Sequence, residues 1–282
     1  MNSICILTDA TAQFSQPGFA GREFVRVIPL EVTFAGKVYT DGETLRGLDL
    51  PPTAFGAHAP RLHVPDVDVC AQMLQSLSSQ FQDILVITVS SELHGLYSAM
   101  EQAAKIARGK TSITLIDSLT TSVGLGLLVQ SAAEAVSRGL NRAEVERLTR
   151  KSVAQVYTVF SLAGLSYLSQ AGFIDEGQAA VGEMLGLVPI FSLEEGKLSP
   201  IEKARNQRAV IDFFQEFLDE FENLQHIAFI QGAPPFNHET HLLREHVQAH
   251  YPRTSFSEHA INLPVAALLG PRTLGLTLLE SD

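Results

Sequence analysis

The sequence predicts an α/β protein in two domains. Residues 1–155 would form an open parallel sheet with helices on both faces, and residues 156–282 an α/β domain with a mixed sheet. Three observations carry this. Apolar runs of strand length alternate with helix-length patterns through the first half, the signature of strand–helix–strand units. The run Ile84 to Val89 is apolar without alternation, as a strand buried on both faces of a parallel sheet must be. From about Tyr157 the regular alternation stops, and strands, a hairpin and isolated helices follow in no fixed order.

Taken in order, Ser3 to Leu7 is a short apolar strand that ends in Thr8-Asp9. Val25 to Phe34 reads as one extended stretch, and Ala35-Gly36-Lys37 turns it toward Val38-Tyr39. Asp66, after Pro65, is placed to cap a helix running to about Gln80. Asp83 to Ser90 is the buried strand, Gly95 to Ala107 the next helix, and Ile113 to Ile116 a strand closing in Asp117-Ser118. Thr121 to Arg138 is a helix stopped by Gly139, and Asn141 with Glu144 opens another through a capping-box arrangement. In the second half, Tyr157 to Leu162 is a strand and Gly164 to Gln170 a short helix. Leu187 to Leu193 and Leu198 to Ile201 form a hairpin about Glu194-Glu195-Gly196-Lys197. Asn206 to Asn223 is amphipathic, with Val210, Phe213, Phe214 and Phe217 on one stripe. His226 to Ile230, Thr254 to Ile261 and Thr273 to Leu279 complete the strands.

Composition narrows the function. With 45% hydrophobic and 18% charged residues the chain describes an ordered globular protein. A net charge of −11 without a basic cluster argues against nucleic acid or an anionic membrane surface as partner. No apolar run approaches the length of a membrane span and no secretory leader pattern opens the chain, so stable membrane insertion is not expected and the cytoplasm is the expected location. Cys5 and Cys70 fall on apolar faces and read as packing thiols. The histidine-rich segment His238, His241, His246 and His250 lacks the H-E-x-x-H order that sets two imidazoles and a base on one helix face, and reads as an exposed helix rather than a metal site.

Chemistry concentrates at strand ends. Thr8-Asp9-Ala10-Thr11, Ser90-Ser91 and Asp117-Ser118 all follow strands and precede helices or turns. In a parallel sheet such ends share one edge, where ligands bind. The free N–H groups of the helix opened by Gly95 favour an anion there. A set of Asp9, Thr11, Ser90, Ser91, Gly95 and Ser118 is thus a candidate ligand site with no metal and no cofactor.

The segment Ser90-Ser91-Glu92-Leu93-His94-Gly95-Leu96-Tyr97 closely resembles the Ser-Ser-x-Leu-Ser-Gly-Thr-Tyr signature of the DegV family of bacterial fatty-acid-binding proteins. Other matches follow in order: Thr8-Asp9-Ala10-Thr11-Ala12; Val27-Ile28-Pro29-Leu30 through Tyr39-Thr40-Asp41-Gly42; Ile116-Asp117-Ser118 through Gly124-Leu125-Gly126; Leu165-Ser166-Tyr167-Leu168; Leu187-Val188-Pro189-Ile190; Lys203-Ala204-Arg205; and Gly270-Pro271-Arg272-Thr273-Leu274-Gly275. The resemblance implies a DegV-like two-domain fold that encloses a long-chain fatty acid such as palmitate, with the tail in the first domain and the carboxylate near the domain junction. It implies a carrier rather than an enzyme, and a separate fatty acid kinase as a partner in some members. It also adds His94, His63 and Arg272 to the candidate site.

The polar end departs from the family pattern. His94 stands for the usual serine and Leu96 for threonine; Leu62-His63-Val64-Pro65 replaces Thr-Ser-Gln-Pro; Ala267-Leu268-Leu269 lacks the family histidine; and Phe173 replaces an arginine. A sixteen-carbon tail burying about fourteen methylenes gains on the order of 11 kcal/mol gross, whereas a neutral hydrogen bond contributes about 0.5–1.5 kcal/mol net. Tail affinity should therefore survive these changes. An imidazolium at His63 or His94 would offer a charge-assisted bond to a carboxylate, and a neutral ring still donates one N–H. The competing reading is a hydrolase or transferase built on His63, His94 and Ser90, but no Gly-x-Ser-x-Gly elbow or phosphate-binding glycine loop is present.

Overall fold

The structure, a computed structural model, describes residues 4–40, 44–56, 59–107, 109, 111–233 and 237–281. Ser3 and Asp41-Gly42, which carried part of the sequence reading, lie outside the described residues. Five short strands come first: β1 (Ile4–Asp9), β2 (Val25–Ile28), β3 (Glu31–Phe34), β4 (Lys37–Thr40) and β5 (Arg61–Leu62). The stretch expected as one extended run is thus two strands. Pro29, which has no N–H to give a ladder, and Leu30 separate them, and they enter different sheets. Then follow α1 (Val67–Ser78), β6 (Asp83–Thr88), α2 (Leu96–Ile106), β7 (Ser112–Asp117), α3 (Ser122–Ser137) and α4 (Arg142–Val153).

The chain divides into two compact units. The first comprises residues 1–31, 63–154 and 194–197; the second comprises residues 32–62, 155–193 and 198–282. Two segments thus depart from a cut at residue 155, namely 32–62 and the turn 194–197.

In the first unit four parallel strands run in the order β2-β1-β6-β7. Ile6 lies opposite Leu85 and Thr88 opposite Asp117. The chain leaves β1 for β2 on one side and later returns to place β6 on the other, so the direction of winding reverses between β1 and β6. Helix α1 packs on α2, and α3 on α4. The expected capping box forms at α4: Asn141 Oδ1 accepts from Glu144 N–H and Glu144 Oε2 from Asn141 N–H, at 3.1 and 2.8 Å. Gly139 closes α3 in the left-handed region, φ 86°. Cys5 and Cys70 are both free and buried, and burial pushes the Cys5 thiol up to about 11.

The second unit adds β8 (Val156–Ser161), α5 (Leu165–Gln170), α6 (Glu176–Met184), β9 (Val188–Glu194), β10 (Lys197–Ala204), α7 (Gln207–Asp219), β11 (Leu224–Gln231), α8 (Asn237–His250), β12 (Ser255–Ala260), α9 (Leu263–Leu269) and β13 (Leu274–Glu280). Its six-stranded sheet runs β10-β9-β8-β13-β11-β12 and is mixed: β11 and β12 are parallel, while β13 is antiparallel to both β8 and β11. The stripe read on α7 builds the core, with Phe214 edge-on to Phe229 at 6.2 Å and Phe213 stacked on Phe217. Helix α8 buries Leu243 and Val247 in the same core, so it is amphipathic rather than merely solvated. His246 bonds Asp219 at 2.8 Å and His250 Nδ1 meets the His246 carbonyl. The small sheet β4-β3-β5 also belongs to this unit, and Tyr167 on α5 donates its hydroxyl to Pro51 O at 2.6 Å.

Candidate functional site

Open parallel sheets bind ligands outside the carboxyl ends of the strands, where the winding reverses. In the first unit that point is the adjacent ends of β1 and β6, Thr8-Asp9 and Thr88 with the following Val89-Ser90. Asp9 spans the two ends. Its Oδ2 accepts from Val89 N–H at 2.7 Å, and its Oδ1 accepts from both the backbone and the hydroxyl of Thr11 at 3.0 and 2.6 Å. Asp9 and Thr11 are both fully buried. Burial raises the Asp9 carboxyl pKa, while the bonds from Thr11 and Val89 pull it down.

The loop leaving β6 satisfies most of its own polar groups. Ser90 Oγ donates to the Gly196 carbonyl at 2.9 Å and accepts from Glu92 N–H. The backbone N–H groups of Leu93 and His94 both go to Ser90 O. Ser91 is exposed, and its N–H points to the Asp117 carboxylate at 3.2 Å. Ser118 Oγ donates to Thr120 O and accepts from Thr120 N–H. The hydroxyls of Ser90 and Ser118 are thus occupied within the chain. Gly95 is the N-cap of α2 and is packed so that a Cβ would meet Val64 Cγ2 at 3.0 Å. His63 is exposed. Arg272 lies in the second unit and is exposed between α9 and β13.

His94 is different. It is 8% exposed, and among the described residues neither Nδ1 nor Nε2 has a hydrogen-bond partner. Burial lowers its pKa to about 4; interaction with the His63 backbone raises it, and the His63 charge lowers it. With burial the largest influence on it, the ring is neutral at pH 7, one of the two forms the sequence left open. Buried polar groups are nearly always bonded, so a histidine with two orphaned nitrogens is a departure from the rest of this loop. The hydroxyls of Thr8, Thr88 and Thr121 are likewise buried and unpartnered. All three stand at strand ends or a helix start on the same edge of the sheet. Thr8 belongs to the strand-end set read from sequence; Thr88, which closes the apolar run of β6, and Thr121, the N-cap of α3, were not singled out.

The family model described as "Uncharacterised protein, DegV family" matches residues 3–281. The chain belongs to the DegV family. Among DegV relatives, a DegV domain-containing protein of Deinococcus radiodurans is 25% identical over 281 residues, 98% of each chain. One from Listeria innocua is 26% identical over 282 residues, 97% of each chain. Among solved DegV structures, that of a Thermus thermophilus protein, reported for its fatty acid binding, superposes with a TM-score of 0.82 at 25% identity, covering 99% of this chain and 100% of its own. The Streptococcus pneumoniae Fatty Acid Kinase B3 protein, loaded with linoleic acid, gives 0.84 at 19% identity over the whole of both chains and shares the fold. This DegV chain therefore has the α/β architecture of the family: a parallel sheet in its N-terminal part and a mixed sheet in its C-terminal part. Among the described residues, no helix is long and apolar enough to cross a membrane.

Proposed function

We propose that this DegV protein binds a long-chain fatty acid, meets the head group with His94, and carries or presents the acid rather than transforming it. Buried His94, with both nitrogens unpartnered at the uncapped start of α2, is the observation that carries the proposal. An acyl tail supplies the affinity and the ring supplies a donor and an acceptor for the carboxyl end. Membership of the family, and the fatty acids bound by its relatives in Thermus thermophilus and Streptococcus pneumoniae, support the same ligand class. A fatty acid kinase is the proposed partner.

The hydrolytic alternative needs a nucleophile held by its base. Ser90 Oγ donates instead to Gly196 O, and His94 accepts nothing from it.

Mass spectrometry tests the proposal. Protein purified without added lipid should be heavier in its native than in its denatured spectrum by the mass of a fatty acid, and the stripped protein should take up palmitate. Equal masses in both states, with no uptake of palmitate, would overturn it.

A further inference from the structure

The N-terminus of α3 is buried and unbonded. Thr121, Ser122 and Val123 are 0% exposed and Gly124 is buried, so bulk water does not serve this first turn. A helix leaves its first amides without partners inside itself, and a cap, a neighbour or water normally takes them. Here, among the described residues, the N–H groups of Ser122, Val123 and Gly124 have no partner; Leu125 N–H is the first that is bonded, to Thr121 O at 3.3 Å. Thr121 is the N-cap, yet its hydroxyl does not cap the helix and has no partner either. Groups nearby are committed elsewhere: Ser122 Oγ donates to Gln13 Oε1, Ser118 Oγ donates to Thr120 O, and the Asp9 carboxyl accepts from Thr11 and Val89. Ser122 also holds φ 53°, a left-handed conformation uncommon outside glycine. The start of α2 differs, because Gly95 and Ser98 are exposed there and water can serve its amides.

Three amides and one hydroxyl in a buried place are all donors, and they lie where the helix dipole favours negative charge. A carboxylate fits that set, because its two oxygens only accept and offer about four lone-pair sites between them. Among the described residues no Lys or Arg side chain is buried, so backbone and hydroxyl donors are the groups available to meet a buried anion. Gly124, the third residue of the helix, carries no side chain to cover the amides. One backbone unit joins this place to the His94 loop: Ser90 gives its N–H to Thr120 O at 2.8 Å, and its carbonyl receives the N–H of His94 at 3.1 Å. We propose that the start of α3 holds the carboxylate of the bound fatty acid, with the Thr121 hydroxyl and the amides of Ser122, Val123 and Gly124 as its donors. The inference rests on the carrier reading given above. It assigns the charge of the head group to a helix terminus rather than to a cationic side chain.

Two head groups on one tail test this: palmitate, which is charged, and hexadecanol, which is not. In amide NMR spectra of the full chain stripped of lipid, palmitate should move the Val123 and Gly124 N–H resonances downfield, and hexadecanol should move them less. Thr121→Val, which keeps the shape and removes the hydroxyl, should weaken palmitate about tenfold and hexadecanol by less than about twofold. Thr121→Ser should restore palmitate to within about threefold of the parent. Palmitate bound with these amide resonances unmoved would overturn the inference and leave the carrier reading standing. So would a Thr121→Val protein that binds palmitate as tightly as the parent, or one that loses palmitate and hexadecanol alike, which would mark a packing role. If Thr121→Val does not fold, the amide shifts of the parent protein decide. Failure of the parent protein to bind palmitate would instead defeat the carrier reading itself.

Discussion

At the scale of single residues, the proposed head-group position stands out by what the chain leaves unbonded. Ser90, Ser118, Asp9 and Thr11 carry the expected residue types, but each spends its hydrogen bonds internally, and His94 does not. Asp9 ties the end of β1 to the end of β6 where the winding reverses. Asp9→Asn keeps the shape but turns an amide N–H₂ toward Thr11 or Val89, so one buried donor faces another. We expect a loss of about 1–3 kcal/mol in unfolding free energy, the usual cost of an unsatisfied buried group, read from the urea midpoint. An unchanged midpoint would mean that these bonds do not hold the strand ends. Sequence reasoning reached His94 and Asp9 because they fall in recognisable segments. It could not see that Thr8, Thr88 and Thr121 are orphaned, since that depends on which neighbours are absent in space.

At the scale of elements, the turn 194–197 is the clearest case of a local signal with a distant purpose. Its glycine was legible as hairpin chemistry, and Gly196 indeed adopts φ 84°. Its packing was not legible: Gly196 is buried in the first unit, and a Cβ there would lie 2.3 Å from Ser90 Oγ. Gly196→Ala should therefore cost more than the roughly 1–2 kcal/mol of a left-handed backbone alone, because it also displaces the Ser90 hydroxyl. Thermal melts of Gly196→Ala and Gly36→Ala provide the comparison, since Gly36 has a similar φ of 77° with open space around it. Equal losses in the two would show that the Ser90 packing contributes nothing. Three elements escaped the sequence reading for physical reasons. Helix α6 buries only Ala179 and Gly182, too few for an apolar period, although Asp175 and Gln178 form a capping box. Helix α9 is buried at all seven positions and so presents no polar face to set a period. Strand β5 is two residues long.

At the scale of the whole molecule, buried histidines tie stability to pH. Burial lowers both His94 and His226 to about 4, and lowers His259, whose ring shares the Ser257 hydroxyl with His226. Between about pH 6.5 and 4 the unfolded chain binds more protons than the folded one, so the stability contributed by the neutral rings is complete above 6.5 and lost on acidification, at up to about 1.4 kcal/mol per pH unit for each group. Urea midpoints of the ligand-free protein should fall between pH 7 and 5; a midpoint that held or rose over that window would contradict these shifts. The sequence by itself determined the α/β class, most strands and helices, the caps at Asn141 and Gly139, and the family, because periodicity, turn chemistry and ordered motifs are local properties of the chain. Tertiary structure alone decided that Pro29 sends β2 and β3 to different sheets, that residues 32–62 and 194–197 pack away from their sequence neighbours, and that the His94 ring is buried and neutral. Each of these is a matter of which distant groups come within reach. A hydrogen bond or a buried charge is a property of such neighbours, and no spacing along one chain contains it.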